Sequence, residues 1–325
     1  MKPIAVPPAA ALLALAAAPA LAADPVAVSV GGYMNAGVAY VDDGATDSDV
    51  GVMRDGEIHF RARGASDNGL TFRGRVELEA FTTDDQIDES WVSVSGGFGT
   101  ILMGQADTAL NEQGGVGVVK PSGSYFNYYD YDGGADLPGE PGGFVGEDDA
   151  IGVRYFVEFR GFEAGASWQP DADADGASDT NNPSLSGGPK ADQYALGASW
   201  SGDVGDVGLA LGGGYLVNDL EDVWHVGAEA GYAGFTLAGF YNREEEDGAP
   251  DVERWSAGAQ YETGPTTLGG GFVLQDRGAG DETFVHLGAG YALAPGVTAY
   301  GAVQYGEDAG GTEGVAALAW LGLDF

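Results

Sequence analysis

Four arginines stand at alternate positions in two neighbouring segments, and that spacing turns scattered charge into a charged face. In EIHFRARG, residues 57–64, an extended chain sends Glu57, His59, Arg61 and Arg63 to one side and Ile58, Phe60 and Ala62 to the other. Successive strand side chains point to opposite faces. In TFRGRVELEAF, residues 71–81, the same period separates Arg73, Arg75, Glu77 and Glu79 from Phe72, Gly74, Val76, Leu78 and Ala80. The two segments read as a hairpin. Pairing Gly64 with Leu70 would set Arg61 against Arg73, His59 against Arg75 and Glu57 against Glu77. Like charges directly opposed destabilise a sheet, so such a wall needs water or facing carboxylates. A solvated charged surface is the plain reading. The functional reading is one wall of a transverse field across a pore.

The facing wall has a candidate in the segment from Asp107 to Asp149. It holds Asp107, Glu112, Asp130, Asp132, Asp136, Glu140, Glu147, Asp148 and Asp149 with one cation, Lys120. Segments this long are functional or disordered. Tyr125, Phe126, Tyr128, Tyr129, Tyr131 and Phe144 argue for order. Further on, DADADGASD places Asp171, Asp173, Asp175, Gly176 and Asp179 at the first, third, fifth, sixth and ninth positions of a calcium-loop pattern, but Asn182 stands at the twelfth, where that pattern requires a bidentate Glu. The flanking segments read as strands and not helices, which argues against an EF-hand. What remains is a weak calcium site or a solvated acidic loop tip. Catalytic chemistry has little to draw on. The chain has three histidines, His59, His225 and His286, no cysteine, and no serine in a G-x-S-x-G turn. No catalytic residue is assigned, because carboxylates are so abundant that no one pair of them is informative.

These side chains must be positioned by strands. Alternating segments fall at about 26–41, 51–64, 70–81, 87–96, 98–106, 150–159, 161–169 and 191–201. Eight more fall at about 205–217, 221–232, 234–243, 251–262, 264–275, 282–292, 296–306 and 314–325, making sixteen. Short connections, at 65–69, 97, 202–204, 233 and 263, alternate with longer acidic ones at 42–50, 107–149, 170–190 and 244–250. Short turns alternating with long loops are the layout of a transmembrane barrel. A soluble β-sandwich also has many short strands, but the aromatic placement separates the two. Trp224, Val226, Ala228, Ala230 and Tyr232 share one face, as do Trp255, Ala257, Ala259 and Tyr261. Aromatics at both ends of a small-residue stripe form the girdles of a lipid-facing wall.

Composition agrees. The 57 glycines fall within alternating segments such as GLALGGGY, where curvature and close neighbours suit them. Fifty acidic against 13 basic residues give a formal net charge of -37, which argues against nucleic acid and other anionic partners. Residues 1–22 read as a secretory signal: Lys2, an apolar run from Ala9 to Leu21, and the A-x-A site Ala20–Ala22. Residues 23–325 then form one barrel domain in an exported chain without disulfides.

The closing run GVAALAWLGLDF puts Val315, Ala317, Ala319, Leu321, Leu323 and Phe325 on one face. It resembles the terminal strand of bacterial porins. With sixteen strands, an acidic third external loop (107–149, after the connections at 42–50 and 82–86) and an arginine wall, the chain resembles the general diffusion porins of Gram-negative bacteria, including their alphaproteobacterial type. LPGEPGGF, residues 137–144, looks like a loosened form of their loop-tip motif. The resemblance implies an all-β, 16-stranded antiparallel barrel in the outer membrane, with 107–149 folded into the lumen as a constriction loop. It implies passive diffusion of small hydrophilic solutes and a homotrimer among outer-membrane lipid and lipopolysaccharide. It further implies recognition of Phe325 by the barrel assembly machinery, and calcium near the third loop. The constriction would comprise Arg61, Arg63, Arg73, Arg75, His59, Asp107, Glu112, Asp130, Asp132, Asp136 and Glu140. Calcium would sit among Glu147, Asp148, Asp149, Asp171, Asp173, Asp175 and Asp179; no other cofactor is required. The run Ser90–Gly104, poor in charge on both faces, suits burial against a neighbouring subunit. The excess of carboxylates points to modest cation selectivity. A substrate-specific channel is the alternative within transport, and an outer-membrane lipase or protease the enzyme alternative.

Overall fold

The computed structural model describes residues 25–44, 48–81, 87–117, 137–139, 151–172, 191–218, 221–246, 248–278 and 280–325. Sixteen strands carry most of them. They are β1 (Ala27–Asp42), β2 (Asp49–Ala65), β3 (Thr71–Glu79), β4 (Ile87–Gly96), β5 (Gly99–Gln105), β6 (Ile151–Phe159), β7 (Phe162–Ala172) and β8 (Ala191–Val204). The second half comprises β9 (Val207–Val217), β10 (Glu221–Tyr232), β11 (Phe235–Glu246), β12 (Val252–Thr263), β13 (Thr266–Asp276), β14 (Asp281–Ala294), β15 (Val297–Glu307) and β16 (Glu313–Asp324). Each strand pairs antiparallel with its neighbours in sequence, and β1 closes on β16, so the sheet is a closed barrel. Closure leaves no exposed edge.

The expected strands are all present, with ends displaced by a few residues. β8 runs on to Val204, so its turn is Gly205–Asp206 and not 202–204. The tight turns Arg160–Gly161 and Ala233–Gly234 have positive φ at both residues, the conformation that matches strand twist in a two-residue hairpin. Closure is completed by Phe325, whose amide donates to Gly32 and whose carbonyl accepts from the Gly32 amide, at 3.0 and 2.9 Å.

The barrel is turned outward in polarity. Val52, Val38, Leu196, Val226, Leu237 and Leu287 are among the more exposed side chains of the molecule, and all lie on the outer face. Ring pairs sit near both ends of that face. Trp224 packs on Tyr215 and Tyr241 on Trp255 toward the long loops; Phe235 stacks on Tyr261 toward the short turns. The inner face holds the buried polar side chains, including His225, Asn242, Arg254 and Gln275. Arg254 donates to Glu244, and Gln275 to Glu282. In a soluble protein this distribution would be inside out; in hydrocarbon it is the stable one.

Candidate functional site

The β2–β3 hairpin builds the charged wall, though not in the expected register. Glu57 stands opposite Glu79, His59 opposite Glu77, Arg61 opposite Arg75 and Arg63 opposite Arg73. The turn decides this. The amide of Ser66 donates to the carbonyl of Leu70 at 2.9 Å and that of Gly69 to Ser66 at 3.0 Å, with Gly69 at φ 84°. The strands therefore close at Ser66 and Leu70, two positions from the Gly64–Leu70 pairing the sequence suggested. A slip of two keeps every side chain on its face, so the inward set is as expected and only its partners change.

That change matters electrostatically. Instead of facing an arginine, His59 is held by carboxylates: its Nε2 lies 2.6 Å from Glu57 Oε2 and 2.9 Å from Glu77 Oε1. Arg61 donates to His59 Nδ1 at 2.5 Å. The Tyr33 hydroxyl donates to Glu57 Oε1 at 2.9 Å. Arg75 is clamped between Glu77, to which it donates, and Glu89, 3.2 Å away. Glu89 also accepts from the Trp91 indole at 3.1 Å. Two of the four arginines are thus bound within the wall. Arg63 and Arg73 lie nearer the short turns and are exposed.

The start of the long segment meets this wall. Residues 106–109 lead into a single π-helical turn, Leu110–Gly114, packed on the inner faces of β7 to β10. Its seat is made of glycines. A Cβ on Gly197 would collide with the Ala109 carbonyl, one on Gly212 with Gly114 and Val116, and one on Gly227 with the Val116 carbonyl. Ser167 Oγ accepts from the Ala109 amide at 2.9 Å, and His225 Nε2 lies 3.1 Å from the Val116 carbonyl. The segment returns at Leu137–Gly139 across the barrel. There Leu137, 2% exposed, lies in an apolar patch of the inner wall with Met53, Phe284, Leu318 and Trp320. A buried apolar patch inside a polar lumen was not expected from the sequence.

Among the described residues, Asp107 and Glu112 come to the wall. With Asn111 they line a polar space of about 420 Å³ shared with Arg75, Glu77, Asp88 and Glu89. A second cavity, about 680 Å³, is lined by Arg73, Trp91, Ser93, Arg154 and Phe156, and by Glu112 as well. Arg154 of β6 was not singled out from the sequence. It is buried and donates to the Asp107 carbonyl at 2.8 Å and to Glu112 at 3.4 Å, tying the segment to the barrel. Its inward place in the alternation of IGVRYFVEF was the only available signal. Trp91 and Phe156 also face inward, where charged or small residues were expected. Asp130, Asp132, Asp136, Glu140, Glu147, Asp148, Asp149, Asp173, Asp175 and Asp179 lie outside the described residues, as does the side chain of Asp171. So does the segment 1–22, read from the sequence as an export signal.

The comparisons with known proteins agree with this architecture. A family described as Gram-negative porin matches residues 9–311. Outer membrane protein U of Vibrio vulnificus (strain CMCP6) is 26% identical over 254 residues, covering 70% of this chain and 68% of that one. An engineered variant of the Rh. blastica porin superposes with a TM-score of 0.65 at 20% identity, over 92% of this chain and 100% of the other. The trimer form of OmpT, an outer membrane protein of Vibrio cholerae, does so with a TM-score of 0.64 at 17% identity, over 93% and 100%.

Proposed function

We infer the transport properties of this pore from one premise: the chain belongs to the Gram-negative porin family and is an outer-membrane β-barrel that forms a channel. A sixteen-stranded barrel leaves room for water along its axis, and polar solutes cross it by diffusion. We propose that the narrow part lies where Asp107 and Glu112 approach Arg75, and that it passes cations somewhat better than anions.

The observation that carries this reading is the composition of that space. Among its described lining residues, Glu77, Asp88, Glu89, Asp107 and Glu112 face a single arginine, Arg75. A constriction with excess fixed charge concentrates counter-ions. The exposed pair Arg63 and Arg73 opposes this and keeps the preference modest. Reversal potential across a planar bilayer in a salt gradient tests it: cation preference at low salt, fading as screening shortens, is expected, and anion preference refutes it. A substrate-specific channel is the second reading, favoured by Trp91 and Phe156 beside Arg73. Saturable conductance block by one solute class would establish it.

The remaining assignments are proposals of the same kind. Residues 1–22 act as a cleaved export signal, the mature chain forms a homotrimer among outer-membrane lipid and lipopolysaccharide, and Phe325 is the mark read by the assembly machinery. The acidic loops take calcium. Transport here involves no catalytic step.

A further inference from the structure

His59, Glu57 and Glu77 present one imidazole nitrogen and two carboxylate oxygens on the inner wall, all within 4.8 Å of one another. The sheet fixes them. Glu57 and His59 are two apart on β2, on one face, and Glu77 is the direct cross-strand partner of His59. They are also withdrawn from solvent: Glu77 is 3% and His59 8% exposed. Charge is badly balanced there. Glu57 is directly opposed to Glu79, a like-charge pair that a sheet disfavours.

The imidazole has one proton to offer two carboxylates. Arg61 can only donate, so His59 Nδ1 accepts its hydrogen bond and the imidazole proton sits on Nε2. That single proton lies between two carboxylates, at 2.6 and 2.9 Å. One donor thus converges with two negative oxygens on a single point. A metal ion satisfies all three at once.

We propose that Glu57, His59 and Glu77 form a binding site for a divalent transition-metal ion of the Zn²⁺ class. One nitrogen and two carboxylate oxygens suit borderline cations such as Zn²⁺ and Co²⁺. With tetrahedral metal–ligand bonds of about 2.0–2.2 Å the ligand atoms stand roughly 3.3–3.6 Å apart, so the two carboxylate oxygens must draw back from the imidazole nitrogen, from 2.6 and 2.9 Å, by about 1 Å or less. Tyr33 donates to Oε1 of Glu57, the oxygen that does not face His59, and orients that carboxylate from behind. Arg75 donates to Glu77 Oε1, the oxygen that does face His59, and would share it with the ion through that oxygen's second lone pair. Coordination moves the imidazole proton from Nε2 to Nδ1. Arg61 then loses its acceptor and its exposed side chain turns into the lumen, so occupancy alters the field of the pore.

Equilibrium dialysis of the full-length assembled protein against Zn²⁺, with Co²⁺ absorption as the spectroscopic readout, tests the site. One ion per chain is expected, with affinity falling about tenfold or more in His59→Gln and in Glu77→Gln. Absence of saturable binding, or binding unchanged in both variants, overturns the proposal. Should the variants fail to assemble, histidine modification of the unaltered protein by diethyl pyrocarbonate decides. Zn²⁺ but not Mg²⁺ is expected to protect His59, mapped by mass spectrometry; equal labelling with either ion overturns the proposal.

Discussion

The carbonyl oxygen of Ala109 occupies the place where a Cβ on Gly197 would project, so the inner segment lies directly on the bare backbone of β8. Gly165, Gly212, Gly214 and Gly227 extend the same seat across β7, β9 and β10, each meeting residues between Leu110 and Val116. Part of the high glycine content thus follows from close approach of backbone to backbone.

Gly197→Val or Gly212→Val should therefore dislodge residues 108–117 while the barrel still closes, because the outer face and the strand pairing are untouched. Larger single-channel conductance with retained heat-modifiable electrophoretic mobility is the expected outcome. Unchanged conductance would show that the segment does not narrow the pore.

The four arginines should not behave alike. Arg63→Ser and Arg73→Ser remove exposed side chains and should raise conductance and cation preference at little cost in stability. Arg75→Ser leaves the buried Glu77 and Glu89 without their cation, and should cost on the order of 1–3 kcal/mol. Adding Glu77→Gln should recover part of that loss in urea unfolding. Equal destabilisation by all three arginine variants would show that Arg75 has no special place.

Asp308, between β15 and β16, accepts hydrogen bonds from the amides of Gly310 and Thr312, both at 2.8 Å. The Thr312 amide above all holds its carboxyl below the usual carboxylate range. A depressed folded value means the loop is favoured above the ordinary aspartate pKa, and that this support is lost as pH falls through the lower, folded value. Exchange of the Gly310 to Thr312 amides, corrected for intrinsic rates, should accelerate over that acid window and at all pH values in Asp308→Ala.

Clusters such as Glu147–Asp149 and Asp171–Asp179 repel when close together, and divalent cations would convert that repulsion into cross-links. Chelation should lower the melting temperature or open the loops to protease. Millimolar calcium should reverse this by binding the native state, whereas sodium of equal ionic strength should not. Equal protection by both ions would reduce the effect to screening.

Strand count, outward apolar faces and the inward placement of the charged residues were legible in the sequence because they depend on a period of two, which is local. Trp224 to Tyr232 and Arg61 to Arg75 took their sides as read. Partners across the hairpin were not legible: the bonds among Ser66, Gly69 and Leu70 set the register, and a shift of two leaves the alternation unchanged while exchanging Arg75 for Glu77 opposite His59. In β16 the expected face, Val315 to Phe325, points outward, yet Ala316, Leu318 and Trp320 on its inner face are as apolar. Among the described residues it is Leu137 that docks on this apolar patch within the lumen. Likewise the tie from Arg154 to Asp107 spans 47 residues. Such contacts join residues far apart in sequence across a closed barrel, which the alternation of residues along individual strands does not encode.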